Sequence, residues 1–260
     1  MKPTILTLIH LLLCDSSFLL AADAPASKPG AGSKAEIGKQ LAWAFTPNPT
    51  LPNVLILGDS ISIGYTLQVR ELLQGKANVF RPVSPDGTKP VNCDGTTSGV
   101  RQIHSWLAGH KWSVIHFNWG LHDLKHVTAA GTAKNSNQAS DPPQATVEEY
   151  SRNLEVIVGK LKATGAHLIF ATTTPVSPGT TNPLRKVDAP DRYNAAALKI
   201  MKANGIVVND LFAFCEPRLD QLQLPQNVHF KDEGSAALAR QVTAAIESRL
   251  GKPADKPKAP

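Results

Sequence analysis

The chain has 260 residues, 42% of them hydrophobic and 6% aromatic, which is enough for one sizeable core and points to one domain rather than two. Its formal net charge of +6 is scattered, and the last ten residues, GKPADKPKAP, carry three lysines against one aspartate. No Lys/Arg cluster interleaves with aromatics, so the composition argues against nucleic-acid binding and leaves the basic balance as a solubility charge.

In chain order, residues 1–22 read as an export leader: Lys2, then the apolar runs ILTLIHLLL and FLLAA, then small residues around Ala21 to Ala24 for cleavage. His10 and Asp15 break the apolar run before the length of about 20 residues that a membrane span needs. Cys14 follows Leu13 rather than the small residue a lipoprotein signal carries. The expectation is an exported protein, periplasmic or secreted, without stable membrane insertion once the leader is cleaved. Cys93 and Cys215 then remain, and sequence leaves open whether they pair. Residues 23–35 read as a Pro/Ala/Gly/Ser linker, 36–250 as the folded domain and 251–260 as a disordered tail.

Within the domain, strands and helices alternate. NVLILG (53–58) is a continuous apolar run, the pattern of a strand covered on both faces. A helix is predicted over 66–75, a second strand over 77–82, a polar Gly/Pro-rich loop over 82–97 and a helix near 98–107. WSVIHFN (112–118) is a third strand, followed by a long polar segment to about residue 145, of the length that is either functional or mobile. An amphipathic helix over 146–165, a strand over 166–174, a helix over 192–205, a strand over 205–210 and a last helix over 235–250 complete the pattern. The fold class is therefore α/β, a doubly wound parallel sheet with five strands and helices on both faces.

In such sheets ligands bind at the carboxyl ends of the strands. Four polar blocks fall on that rim: Gly58-Asp59-Ser60 after the first strand, Asn92-Cys93-Asp94-Gly95 after the second, Gly120-Leu121-His122-Asp123 after the third and Asn227-Val228-His229-Phe230 before the last helix. These blocks, in this order and context, resemble the SGNH, or GDSL-type, hydrolase superfamily over residues 53–250. The resemblance implies a three-layer α/β/α sandwich, strand order 2-1-3-4-5, and ester hydrolysis through an acyl-serine without cofactor or metal. Two positions depart from the family pattern: His122 stands where G-x-N-D has Asn, and Gln226 stands where D-x-x-H has Asp. G-L-H-D at this place resembles a subgroup of secreted bacterial GDSL-like proteins.

Carried over residue by residue, the resemblance makes Ser60 the nucleophile and His229 its base and acid. The alternative for Ser60 is a helix N-cap, and for His229 a surface loop histidine. The group on the other ring nitrogen of His229 stays open among Gln226, Asp210 and Asp232. The N–H groups of Ser60 and Gly95, with Gly99 as the fallback, and the ring N–H of His122 are the candidate oxyanion donors. Asp59 reads as a loop-fixing acceptor, and Asp123 as the orienter of its loop or of His122. Trp119 reads either as core or as a platform for a sugar ring, and the polar residues after it favour the rim. His122 and His126 have the spacing of a zinc-protease helix but lack its Glu, so no metal is expected.

The expected activity is a serine esterase removing short acyl groups, acetyl above all, from a carbohydrate or small-molecule ester. Polar loops over 82–97 and 119–145 argue against a lipase or lysophospholipase. A non-catalytic carbohydrate-binding protein on the same fold is the reading from another class.

Overall fold

The computed structural model describes residues 43–252. The leader, the linker and all but the first two residues of the tail lie outside the described residues. Five parallel strands, β1 (Asn53–Leu57), β2 (Asn78–Phe80), β3 (Val114–Phe117), β4 (His167–Ala171) and β5 (Val207–Asn209), form one sheet in the order 2-1-3-4-5. Register is set by apolar pairs, with Val54 opposite both Val79 and Val114, and Leu57 opposite Phe117. Every residue of β3 and β4 is buried, because helices cover both faces of the sheet.

On one face α1 (Ser60–Leu72) packs against the last helix, α7 (Asp232–Glu247). On the other, α2 (Thr96–Leu107), α3 (Val147–Lys162) and α4 (Ala189–Asn204) lie side by side. The chain thus forms a three-layer α/β/α sandwich. The third helix shows how the sequence specifies its packing. Thr146 and Glu149 form a reciprocal capping box, and Tyr150, Leu154, Ile157, Val158 and Leu161 bury one stripe at helical spacing. Gly99 sits where α2 crosses α3, and a Cβ there would come within 2.7 Å of Ile157 Cδ1 and 3.1 Å of the Trp119 ring. It is a packing glycine, not an oxyanion donor.

Three sequence expectations are corrected. Helix α1 begins at Ser60 rather than residue 66, despite Ile61, Ile63, Gly64 and Thr66, because Asp59 caps it. Between β5 and the last block lie the short helices α5 (Leu211–Cys215) and α6 (Leu219–Leu222), joined by a 3₁₀ turn at Glu216–Arg218. Each is too short to show a helical period in sequence. Trp119 is fully buried, stacked on Trp106 and packed against Phe117, and its indole N–H points to Cys93 O. It is core, not rim.

Cys93 and Cys215 are separate buried thiols. Cys93 is tied to the first turn through its N–H on Gly58 O, whereas Cys215 ends α5 beyond the β5 edge. Among the described residues no helix is long and apolar enough to cross a membrane.

Candidate active site

Helix α1 starts at the carboxyl end of β1, and its capping decides what Ser60 can do. Asp59 is the N-cap: its Oδ1 accepts the Ile61 N–H at 3.0 Å. The capping bond that a serine here often makes is therefore already made, and the Ser60 hydroxyl is left for another partner. Ser60 Oγ lies 2.9 Å from His229 Nε2. The turn before it is held by Arg81, a buried side chain at the end of β2. Its guanidinium donates to Gly58 O at 2.6 Å, Ser62 Oγ at 2.7 Å and Val91 O at 2.9 Å. Gly58 is required by close approach, since a Cβ there would stand 2.9 Å from Ser62 Oγ.

His229 is oriented by Asn227, whose Oδ1 accepts from Nδ1–H at 2.7 Å and from the His229 backbone N–H at 3.0 Å. With the Nδ1 proton held there, the Nε2 lone pair faces the Ser60 hydroxyl. The position that sequence left open among Gln226, Asp210 and Asp232 is thus filled by the residue between Gln226 and Val228. Gln226 has φ +54 and its side chain lies against Gly179, where a Cβ would come within 2.9 Å of Gln226 Cγ. Asp210 caps α5, accepting from Ala213 N–H at 3.1 Å and Thr172 Oγ1–H at 2.8 Å. Asp232 is the exposed first residue of α7. The family pattern places this partner three residues before the histidine, whereas here the carboxamide two residues before it takes the role.

The loop after β3 supplies His122 and Asp123, and their side chains diverge. Asp123 is fully buried and its Oδ1 accepts from Thr96 N–H at 2.8 Å and from the Thr96 hydroxyl. It therefore orients the Gly95–Thr96 turn at the start of α2. Gly95 lets this turn approach closely, since a Cβ would crowd Gln144 Nε2 at 2.9 Å and Asp123 Oδ1 at 3.1 Å. Asp123 Oδ2 has no partner, and burial raises the carboxyl from 3.8 to about 7. His122 Nδ1 lies 3.5 Å from Asp94 Oδ1, and burial lowers its pKa, opposed by Asp59 and Asp94 and aided by Lys125 and Arg185.

The long segment after Trp119 is ordered. Leu121, Leu124 and Val127 are buried, and backbone bonds tie it to a second loop: His126 N–H to Leu184 O, and Leu184 N–H to Ser136 O. Arg185, in that second loop, donates from Nε to Leu121 O at 2.8 Å. His126 is therefore a packed loop residue, and His116 is a neutral core histidine whose pKa burial lowers to about 3. Among the described residues no group of three His, Cys, Asp or Glu side chains is placed to hold a metal ion.

These loops enclose a cavity of about 590 Å³ at the carboxyl edge of the sheet. Asp59, Ser60, His122, Gln226 and His229 line it, as do Asn227, Lys125 and Arg185, which sequence reasoning did not single out as site residues. Gly95, Asp123 and Asp210 do not line it.

Residues 56–237 match the GDSL-like Lipase/Acylhydrolase family, and the chain belongs to that family. With the family comes the class: it is a serine carboxylic ester hydrolase of the SGNH type. Among solved structures it is similar to a lipase/acylhydrolase from Enterococcus faecalis, at TM-score 0.60 and 19% identity over 78% of this chain and 99% of that one. It is also similar to the acetyl xylan esterase AlAXEase (0.58, 14% identity, 75% and 99% covered) and to Axe2, an acetylxylan esterase from Geobacillus stearothermophilus (0.56, 18% identity, 77% and 94% covered). No functionally curated sequence matches the chain.

The elevated Asp123 carboxyl makes a testable statement about pH. Its folded pKa of about 7 lies above the ordinary 3.8, so the native state holds a proton that the unfolded chain has released. The stabilisation from this group is complete below the ordinary value and is lost as pH rises through about 7. Asp123→Asn keeps an oxygen for Thr96 and does not titrate. Its thermal midpoint relative to wild type should therefore rise steadily from pH 4 to pH 8. A constant difference across that range would mean that Asp123 is charged in the native state throughout.

Proposed function

We propose that Ser60 attacks the acyl carbon of a short-chain ester, acetyl above all, carried by a carbohydrate, and that the protein does this after export. The observation that carries the reading is the chain of contacts Ser60–His229–Asn227, with each atom at hydrogen-bond distance from the next. His229 takes the Ser60 proton through Nε2 and returns it to the leaving alcohol, and water then releases the acyl group by the same route in reverse. Asn227 fixes the tautomer but supplies no charge to the imidazolium, as in the Cys-His-Asn arrangement of other hydrolases.

The oxyanion is assigned to the N–H groups of Ser60 and Gly95, at the starts of α1 and α2, and to the ring N–H of His122. The two backbone N–H groups have no acceptor among the described residues. A neutral His122 offers one donor in place of the family's carboxamide. The carbohydrate part of the reading is supported by cavity size and lining. About 590 Å³ far exceeds an acetyl group, and Asn92, Asn135, Thr180, Thr181 and Asn182 offer amides and hydroxyls rather than an apolar groove. The acetylxylan esterases among the similar structures agree with it. Export rests on the leader-like residues 1–22.

A fluorophosphonate probe should label wild type at Ser60, and Ser60→Ala should lose both the label and p-nitrophenyl acetate hydrolysis while keeping its thermal midpoint. An unlabelled, well-folded wild type would favour the non-catalytic carbohydrate-binding reading.

Asn227→Asp places a charge against the imidazolium that forms in the transition state. It should hold or raise kcat above pH 7, whereas Asn227→Ala should lower kcat strongly with little change in KM, since it frees the ring to turn. Equal kcat in all three proteins would remove Asn227 from the mechanism.

For His122→Ala the expected loss is in kcat, on the order of 10²- to 10³-fold. His122→Asn should recover part of it. Unchanged kcat with a lowered thermal midpoint would make His122 a structural loop residue.

A further inference from the structure

Two cations in the cavity have no part in the chemistry above. Lys125 and Arg185 line it from different loops, and they are only 7% and 8% exposed. Neither forms an ion pair with a described carboxylate. Arg185 spends one edge of its guanidinium on Leu121 O, through Nε, and neither Nη group has an acceptor among the described residues. Lys125 Nζ has no hydrogen bond among the described residues either. These end groups are not among the sealed, orphaned polar atoms of the interior, so they remain reachable from the cavity.

The acids nearby are committed elsewhere. Asp59, which also lines the cavity, caps α1, and Asp94 is half-exposed and faces His122. Asp123 is buried on Thr96. The two cations also repel each other: Lys125 is lowered by burial first and by the Arg185 charge second, and Arg185 is lowered by burial to about 10. Arg185 nevertheless remains charged at neutral pH. The Asp59 charge favours the Arg185 cation and the Asp94 and Asp123 charges favour the Lys125 cation, but no described carboxylate is in ion-pair contact with either, and two nearly buried cations side by side are costly to a fold. Anchoring the loop needs only the Arg185 Nε bond, so fold stability does not account for the pair.

We propose that Lys125 and Arg185 form a subsite for an anionic group on the alcohol portion of the substrate, so that the ester is one of an acid sugar such as a uronic acid. This rests on the serine esterase reading, and it names the substrate class of that same site. The free Nη pair of Arg185 matches the two oxygens of a carboxylate, and Lys125 adds a point charge beside it. The acyl carbon would lie at Ser60 and the carboxylate at the cationic pair, with the Asn and Thr side chains facing the ring hydroxyls between them. The cavity has room for both ends at once.

The test compares methyl galacturonosides carrying 2- or 3-O-acetyl groups with the same compounds capped as methyl amides, which differ only in charge. Wild type should show kcat/KM about tenfold or more higher on the acid than on the amide for at least one regioisomer. That ratio should fall as sodium chloride is raised, because the attraction is screened. Lys125→Gln and Arg185→Gln should each move the ratio toward one, chiefly through KM on the acid, and Lys125→Arg should keep most of it. Equal kcat/KM on acid and amide, or a preference for the acid that salt and both glutamine variants leave intact, would overturn the subsite. The wild-type ratio and its salt dependence decide the matter even where a variant does not fold. Turnover of neither compound, together with no fluorophosphonate label, would instead count against the esterase reading itself.

Discussion

The carboxylate of Asp59 occupies the Ile61 N–H in the first turn of α1, and the organisation of the site follows from that bond. A helix beginning at the end of a parallel strand presents several unsatisfied N–H groups, and a serine in the first turn is usually drawn to one of them. Here the residue before it has already done so. Ser60 keeps a hydroxyl that points away from its own helix and meets His229 on another element 169 residues later in the chain. Arg81 secures the same turn from behind. It is buried, and its cost of burial is met by carbonyls of two loops rather than by a carboxylate. A guanidinium is suited to that task because its donors are fixed in one plane and can hold several acceptors at once.

The remaining site residues are positioned by a chain of buried polar contacts around Trp119. Its carbonyl receives Tyr150 Oη–H at 3.0 Å and Thr173 Oγ1–H at 3.2 Å, while Asn194 brackets the backbone of Thr173. The loop after β3 is therefore tied to α3, to the end of β4 and to α4 before it reaches the cavity. Asp123 extends the same tie to the start of α2. Rigid elements thus hold the loops from four sides, which is how side chains on irregular backbone reach the accuracy that catalysis needs.

The charges of the site are asymmetric. The group behind His229 is a neutral amide, the acid beneath the α2 turn has its carboxyl raised by burial to about 7, and two nearly buried cations stand without an ion-pair partner among the described residues. Among the described residues that line the cavity, Asp59 is the one acid against the two basic side chains Lys125 and Arg185. That suits a developing oxyanion at Ser60, and it makes the cavity more receptive to an anion than to a cation.

The alternation of five strands with helices and the four rim blocks were legible in the sequence, because apolar runs such as NVLILG and WSVIHFN mark buried strands and the blocks fall where those runs end, while the strand order came with the family resemblance of those blocks. The short helices after β5 were not, since segments of four or five residues carry no period. The sequence by itself determined the order of the elements and the residue types on the rim, through hydrophobic pattern and turn chemistry, which are local. The third member of the His229 chain was decided only by the tertiary structure. Gln226 takes a left-handed backbone that turns its side chain toward Gly179 and leaves Asn227 facing the ring. Trp119 entered the core because Gly99 and the helices beyond it leave room there, a fact no spacing near Trp119 records. Lys125 and Arg185 lie sixty residues apart in polar stretches that read as solvated loops, and only the folding of one loop onto the other makes them neighbours. Local propensity fixes what a segment is, whereas the direction a side chain faces depends on which distant segment packs against it.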